Sequence, residues 1–86
     1  MKVYAVMQGS LYEGGDLHSI HASRESALAA VTSLLKESAD ELAEYRAEDS
    51  WWNDPRFEFS EVGADSWNNN GGFISIVEHD LIGARP

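Results

Sequence analysis

One uninterrupted helical stripe constrains this 86-residue chain more than any other feature. Ser23 is a good N-cap for a segment beginning SRESALAAV, because its hydroxyl can accept an orphan amide of the first turn. Glu25 suits the positive end of the helix dipole. The capping box is incomplete, since Ser26 stands where Glu or Gln would reach back. Apolar or small residues then recur with helical rhythm at Ala27, Val31, Leu34, Leu35, Ser38, Leu42 and Tyr45, and Leu28 widens the stripe. The spacing predicts a helix to about Ala47, because Glu48-Asp49-Ser50 carry neither the period nor a cationic end.

Short β-rich segments flank that helix. Residues 2–8 (KVYAVMQ) read as a strand, 9–16 (GSLYEGGD) as turn chemistry, and 17–22 (LHSIHA) as a second strand completing a hairpin. Beyond the helix, residues 56–62 (RFEFSEV) alternate as a strand and 63–72 (GADSWNNNGG) read as a long turn. Residues 73–82 (FISIVEHDLI) form a final strand with Ile74 and Ile76 on one face and Phe73, Val77 and Leu81 on the other. The expectation is a single α+β domain over 1–86, order ββαββ. It comprises a single four-stranded antiparallel sheet with one long helix packed on one face, and a disordered tail over 83–86. Such a layer leaves the opposite sheet face bare, and the loops carrying Trp51, Trp52 and Trp67 are the expected cover.

Charge narrows the partners. Fifteen acids oppose six Lys and Arg for a net charge of −9, and residues 37–65 hold ten of the acids against two arginines, or −8 of that total. Such a field repels nucleic acid and anionic membranes and attracts basic surfaces. The ordinary alternative is that the acids only keep the protein soluble. Cysteine is absent, which excludes a disulfide framework and thiolate metal sites and fits the cytoplasm. No apolar run approaches a secretory or membrane segment.

The stretch VYAVMQGSLYEGGDLHSIHASRESALAAV resembles a pattern found in small uncharacterised ββαββ proteins of phages and their bacterial hosts. The matching residues are Val3-Tyr4-Ala5-Val6, Gly9, Tyr12, Ser19-Ile20-His21-Ala22-Ser23, Glu25 and Ala27, and the closing ISIVEHDL is similar to the last strand of such chains. These are framework positions. The resemblance implies the fold and a phage-type origin in a host cytoplasm, and carries no catalytic residues. His21 stands where the family more often has an aromatic.

Residues able to do chemistry are scattered. His18 and His21 are three apart, which on a strand points them to opposite faces. A metal or ligand site built from His79, Glu78 and one of the first pair needs the second and last strands to be neighbours. No Ser stands in a G-x-S-x-G elbow, Glu58 and Glu61 fall on opposite strand faces, and the glycine pairs at 14–15 and 71–72 lack a P-loop lysine. The expectation is a non-enzymatic protein with no catalytic residue, no cofactor and no resident metal.

The segment EDSWWNDPRF, residues 48–57, offers the remaining candidate. Adjacent side chains rarely both point inward, so one of Trp51 and Trp52 is expected to close the end of the core and the other to face a partner. Trp is enriched at interface centres, and a ring among acids suits a basic partner. The expected binding residues are Trp51, Trp52, Glu41, Glu44, Glu48, Asp49 and Asp54. The helical row Glu37, Glu41, Glu44 and Glu48 spans roughly 16 Å and has the spacing to occupy a groove meant for nucleic acid. The favoured reading is a phage-type accessory protein that binds and modulates a host protein through a basic surface. Nucleic-acid-handling or defence machinery, such as a CRISPR effector, is the natural target class. The alternatives are a small metal- or ligand-binding domain using His18, His21 and His79, and a self-associating domain such as a homodimer.

Overall fold

The computed structural model describes residues 1–10 and 12–80. The elements are β1 (Lys2–Ser10), β2 (Gly14–His21), α1 (Arg24–Glu48), β3 (Ser60–Gly63), β4 (Ser66–Asn68) and β5 (Gly72–Asp80), with two 3-10 turns, Ser50–Asn53 and Pro55–Phe57, between α1 and β3. The strands form one antiparallel sheet in the order β2-β1-β5-β4-β3. The fold is α+β with one long helix on the sheet, but the sheet has five strands rather than four and the chain order is ββαβββ rather than ββαββ.

Helix α1 starts as its cap demands. Ser23 is extended, and its Oγ accepts the Ser26 amide at 3.1 Å. The extra strand, β4, lies inside the expected long turn. Asp65 takes φ 59°, a left-handed conformation that a short polar side chain tolerates, and turns the chain tightly from β3 into β4. Asn69 closes the next turn by accepting the Gly71 and Gly72 amides at 3.0 and 2.7 Å. The third strand starts later than residue 56 because Pro55–Phe57 is wound into a turn. The first hairpin loop is shorter than expected, since residues 9–10 extend β1 and 14–16 extend β2. Leu81, Ile82 and the tail over 83–86 lie outside the described residues.

The core sits between α1 and one sheet face. Val6 of β1 and Ile74 and Ile76 of β5 meet Ala27 and Val31 of the helix, ringed by Tyr4, Leu34, Leu35, Phe59 and Trp67. Register places Val6 opposite Ile76, and Trp67 opposite Ile74, so Trp67 belongs to this helix-side core. It does not cover the other face, and Trp51 and Trp52 pack at the far end of α1 instead. The opposite face therefore stays open, carrying Val3, Ala5 and Met7 of β1, Leu17 and Ile20 of β2, and Phe73 and Val77 of β5. Among the described residues, no helix is long and apolar enough to cross a membrane.

Candidate functional site

Two aspartates shape the loop that carries the tryptophans. Asp49 ends α1 by turning extended; its amide still donates to the Tyr45 carbonyl at 2.9 Å, and its Oδ1 accepts the Trp51 amide at 3.0 Å. Asp54 opens the next turn by accepting the Arg56 amide at 2.9 Å, with Pro55 at the first position, where its missing N–H costs nothing. Arg46, in the last turn of α1, donates from Nε to the Trp52 carbonyl at 2.7 Å and lies 3.6 Å from Glu58. The loop is thus strapped back onto the helix that precedes it.

That strap sorts the aromatic rings. Trp52 stacks on Tyr45 with centroids 5.0 Å apart and meets Phe57 at 5.0 Å, and it is half-buried. Trp51 stands edge-on to Trp52 at 4.9 Å and also touches Phe57, yet remains 64% exposed. One ring closes the end of the helix and its neighbour is presented to solvent. Beside them lies a notch of about 170 Å³ lined by Glu41, Leu42, Tyr45, Trp52 and Phe57. Tyr45 and Phe57 were not legible as site residues, because each reads as the apolar member of a periodic element.

The helical acids form one flank. At about 100° per residue, Glu37, Glu41, Glu44 and Glu48 fall within an arc of roughly 60°, and all four are exposed. Glu41 accepts the Tyr45 hydroxyl at 2.8 Å. That hydrogen bond, then the charge of Glu41, and more weakly burial and Glu44 and Glu48, hold the Tyr45 phenol above its ordinary value. Glu41 therefore lines the notch, and Glu44 and Glu48 lie near enough to act on the Tyr45 phenol at its edge. Asp49 and Asp54 lie in the turn that follows this row. Asp49 keeps its charge while its Oδ1 caps that turn, whereas Asp54 is paired with Arg56 at 2.7 and 2.9 Å, which lowers its pKa.

The histidine alternative fails on topology. Strand β1 separates β2 from β5, and His79 pairs with Val3 on the open face. Glu78 is bonded to Lys2 at 2.9 Å. Among the described residues, no three His, Cys, Asp or Glu side chains are placed to hold a metal. His18 and His21 do not point apart either. The register slips between Val6 and Met7, leaving His18 as an extra residue in β2, and both rings reach Ser19 Oγ, at 3.0 and 2.7 Å. The other nitrogen of His21 meets Ser26 Oγ at 2.7 Å, tying β2 to the first turn of α1. No carboxylate orients this imidazole–hydroxyl chain among the described residues.

Neither family models, nor curated proteins, nor solved structures give a match to this chain. The likeness to phage-type proteins rests on the residues quoted for it.

Proposed function

We propose that this chain is a non-enzymatic binding protein that docks on a basic surface of another protein and modulates it. Trp51 is the anchor, and Glu41, Glu44 and Glu48 form the charged rim. The observation that carries this reading is the exposed Trp51 ring, held edge-on to Trp52 beside the acidic flank of α1. An indole fixed before binding loses little freedom on docking, which favours it as an interface hot spot. The adjoining notch is lined by Tyr45, Trp52 and the carboxylate of Glu41, a combination that suits an inserted Arg or Lys side chain. Basic surfaces of this kind belong to nucleic-acid-handling proteins. The phage-type likeness makes host defence machinery, CRISPR effectors included, the leading class of target, met in the host cytoplasm.

Affinity capture from a bacterial lysate tests the reading, comparing wild type with Trp51→Ala and with the combined Glu41→Gln, Glu44→Gln, Glu48→Gln variant. A partner held by wild type and lost by both variants, with an association rate that falls as salt rises, supports it. A partner held equally well by Trp51→Ala, or a rate flat across salt, overturns it.

A further inference from the structure

The sheet face opposite α1 has no carboxylate and carries an apolar patch over β2, β1 and part of β5, with His79 and Ser75 of β5 and Ser66 and Asn68 of β4 beside it. Leu17 is 52% exposed, Ile20 60% and Val77 39%, and they flank Val3, Ala5 and Met7 of β1. The Phe73 ring reaches across to β2 and occupies the space a side chain on Gly15 would need. The charge pattern of this face differs from that of the rest of the molecule. Fifteen carboxylates are distributed over the chain, yet strand register puts none on this side. Asp16 pairs with Gln8, Glu78 with Tyr4, Asp80 with Lys2 and Glu61 with Trp67, all on the helix side. Acidic side chains are therefore confined to the helix side, the turns and the helix itself.

We infer that this face docks a second copy of the same chain, sheet against sheet, with the two helices outermost. Charge complementarity chooses the occupant. A basic partner gains nothing on a face without carboxylates, whereas an identical neutral face is matched to it. Stacked sheets lie about 10 Å apart and each helix adds a layer of about 10 Å, so the acidic flanks of two copies stand roughly 30 Å apart. That is several Debye lengths at physiological salt, about 8 Å each, and the two net charges scarcely meet. Area is sufficient for a small interface. The three long strands give a flat footprint of roughly 400 Å² and the short β4–β3 hairpin adds about 100 Å², so the pair would bury about 1,000 Å² in total, at the low end of specific interfaces. Edge-to-edge pairing is the poorer route, since edge strand β2 carries the bulge at His18 and edge strand β3 is four residues long. Dimerisation leaves Trp51 and the acidic flank free on both outer sides, so each dimer presents two docking sites.

Light scattering and sedimentation equilibrium on the purified chain test this, using wild type, Ile20→Glu, Val77→Lys and the helix-side control Glu44→Gln. The expected result is a species of about 19 kDa, twice the 9.5 kDa chain mass, for wild type and Glu44→Gln. Ile20→Glu and Val77→Lys fall to the single-chain mass with unchanged helical circular dichroism. Added salt holds or strengthens this dimer, whereas it weakens docking on a basic partner, and Trp51→Ala leaves it intact. The two proposals thus fail separately. Wild type at single-chain mass overturns the inference, including the case in which that monomer floats with phosphatidylcholine vesicles. So does a dimer that survives both open-face substitutions.

Discussion

Tyr45 and Trp52 stack with ring centroids 5.0 Å apart and planes inclined by 29°, so the loop after the helix is folded back on the last turn but one. The contact has an energetic consequence that distinguishes the two neighbouring indoles. Trp52→Ala removes a half-buried ring that touches Tyr45, Trp51 and Phe57, and should cost roughly 2 kcal/mol. Trp51→Ala removes a mostly exposed ring and should cost under about 1 kcal/mol. Urea midpoints for the two variants check the difference, and equal losses would mean that Trp51 serves the fold as much as Trp52 does.

Arg46 holds the same loop from below. Its side chain is about three-quarters enclosed, 27% exposed, and its guanidinium donates to the Trp52 carbonyl while facing Glu58. It also sits where a cation meets the negative end of the helix dipole. Arg46→Ala should cost about 1–2 kcal/mol and shift tryptophan emission to the red as Trp52 opens to water. Arg46→Lys should recover only part of the stability, because an ammonium lacks the planar fork.

Much of this architecture was legible because its signals are long. The stripe from Ala27 to Tyr45 repeats over several turns, and Ser23 announces its start. The final strand alternates over most of its length. The features that escaped are short or break a period. Strand β4 is three residues, Ser66–Asn68, with a single apolar side chain, so it vanishes in a run of Asn and Gly. The bulge at His18 has no residue signature, yet it reverses the inference about where the two histidines point. The Asp54-Pro55 pair did carry a message, a capped turn beginning at proline, which strand alternation from Arg56 onward obscured. At the candidate site the acids and the Trp pair were readable as types. Only the fold shows that Asp54 is paired with Arg56 while Asp49 caps its turn, and that Tyr45 and Phe57 complete the notch.

The Asp54–Arg56 contact has a defined pH signature. Hydrogen bonds from the Arg56 guanidinium and amide hold the Asp54 carboxyl below its ordinary value. A carboxylate depressed in the folded state contributes stability above its unfolded pKa and loses it as pH falls through the folded value. Acidification should therefore loosen this turn only below the usual carboxylate range. Carbon-detected NMR titration of Asp54 should give a low midpoint in wild type and one closer to the ordinary value in Arg56→Gln. An unchanged midpoint in that variant would show that the pair does not form in solution.

Glycine matters most where β1 and β2 approach. Gly9 stands opposite Gly15, and a methyl group there would run into the Gly15 Cα and the Gly14 carbonyl, backbone atoms that cannot rotate away. Gly9→Ala should cost roughly 2–3 kcal/mol by forcing the strands apart. Gly63 has open space around the same position, and Gly63→Ala should be neutral or slightly stabilising. Thermal melts of the two variants provide the comparison, and a Gly9→Ala protein as stable as wild type would contradict the register.

Charge reversal separates free acids from committed ones. Glu44 is exposed on the flank beside Tyr45, whereas the charge of Asp54 is already answered by Arg56. Against a captured basic partner, Glu44→Lys should slow association roughly 3–10-fold at low salt, with the deficit shrinking as salt rises. Removing both members of the pair, Asp54→Asn with Arg56→Gln, should change that rate by less than about twofold, because a neutral pair contributes little to the outer field. The same substitutions remove the ionic half of a turn cap, so their effect belongs in the unfolding curve instead. Stopped-flow association, followed by tryptophan emission over a range of salt, measures both variants. Equal slowing by the two would show that the turn held by the Asp54–Arg56 pair, rather than the charge of the helical row, governs encounter.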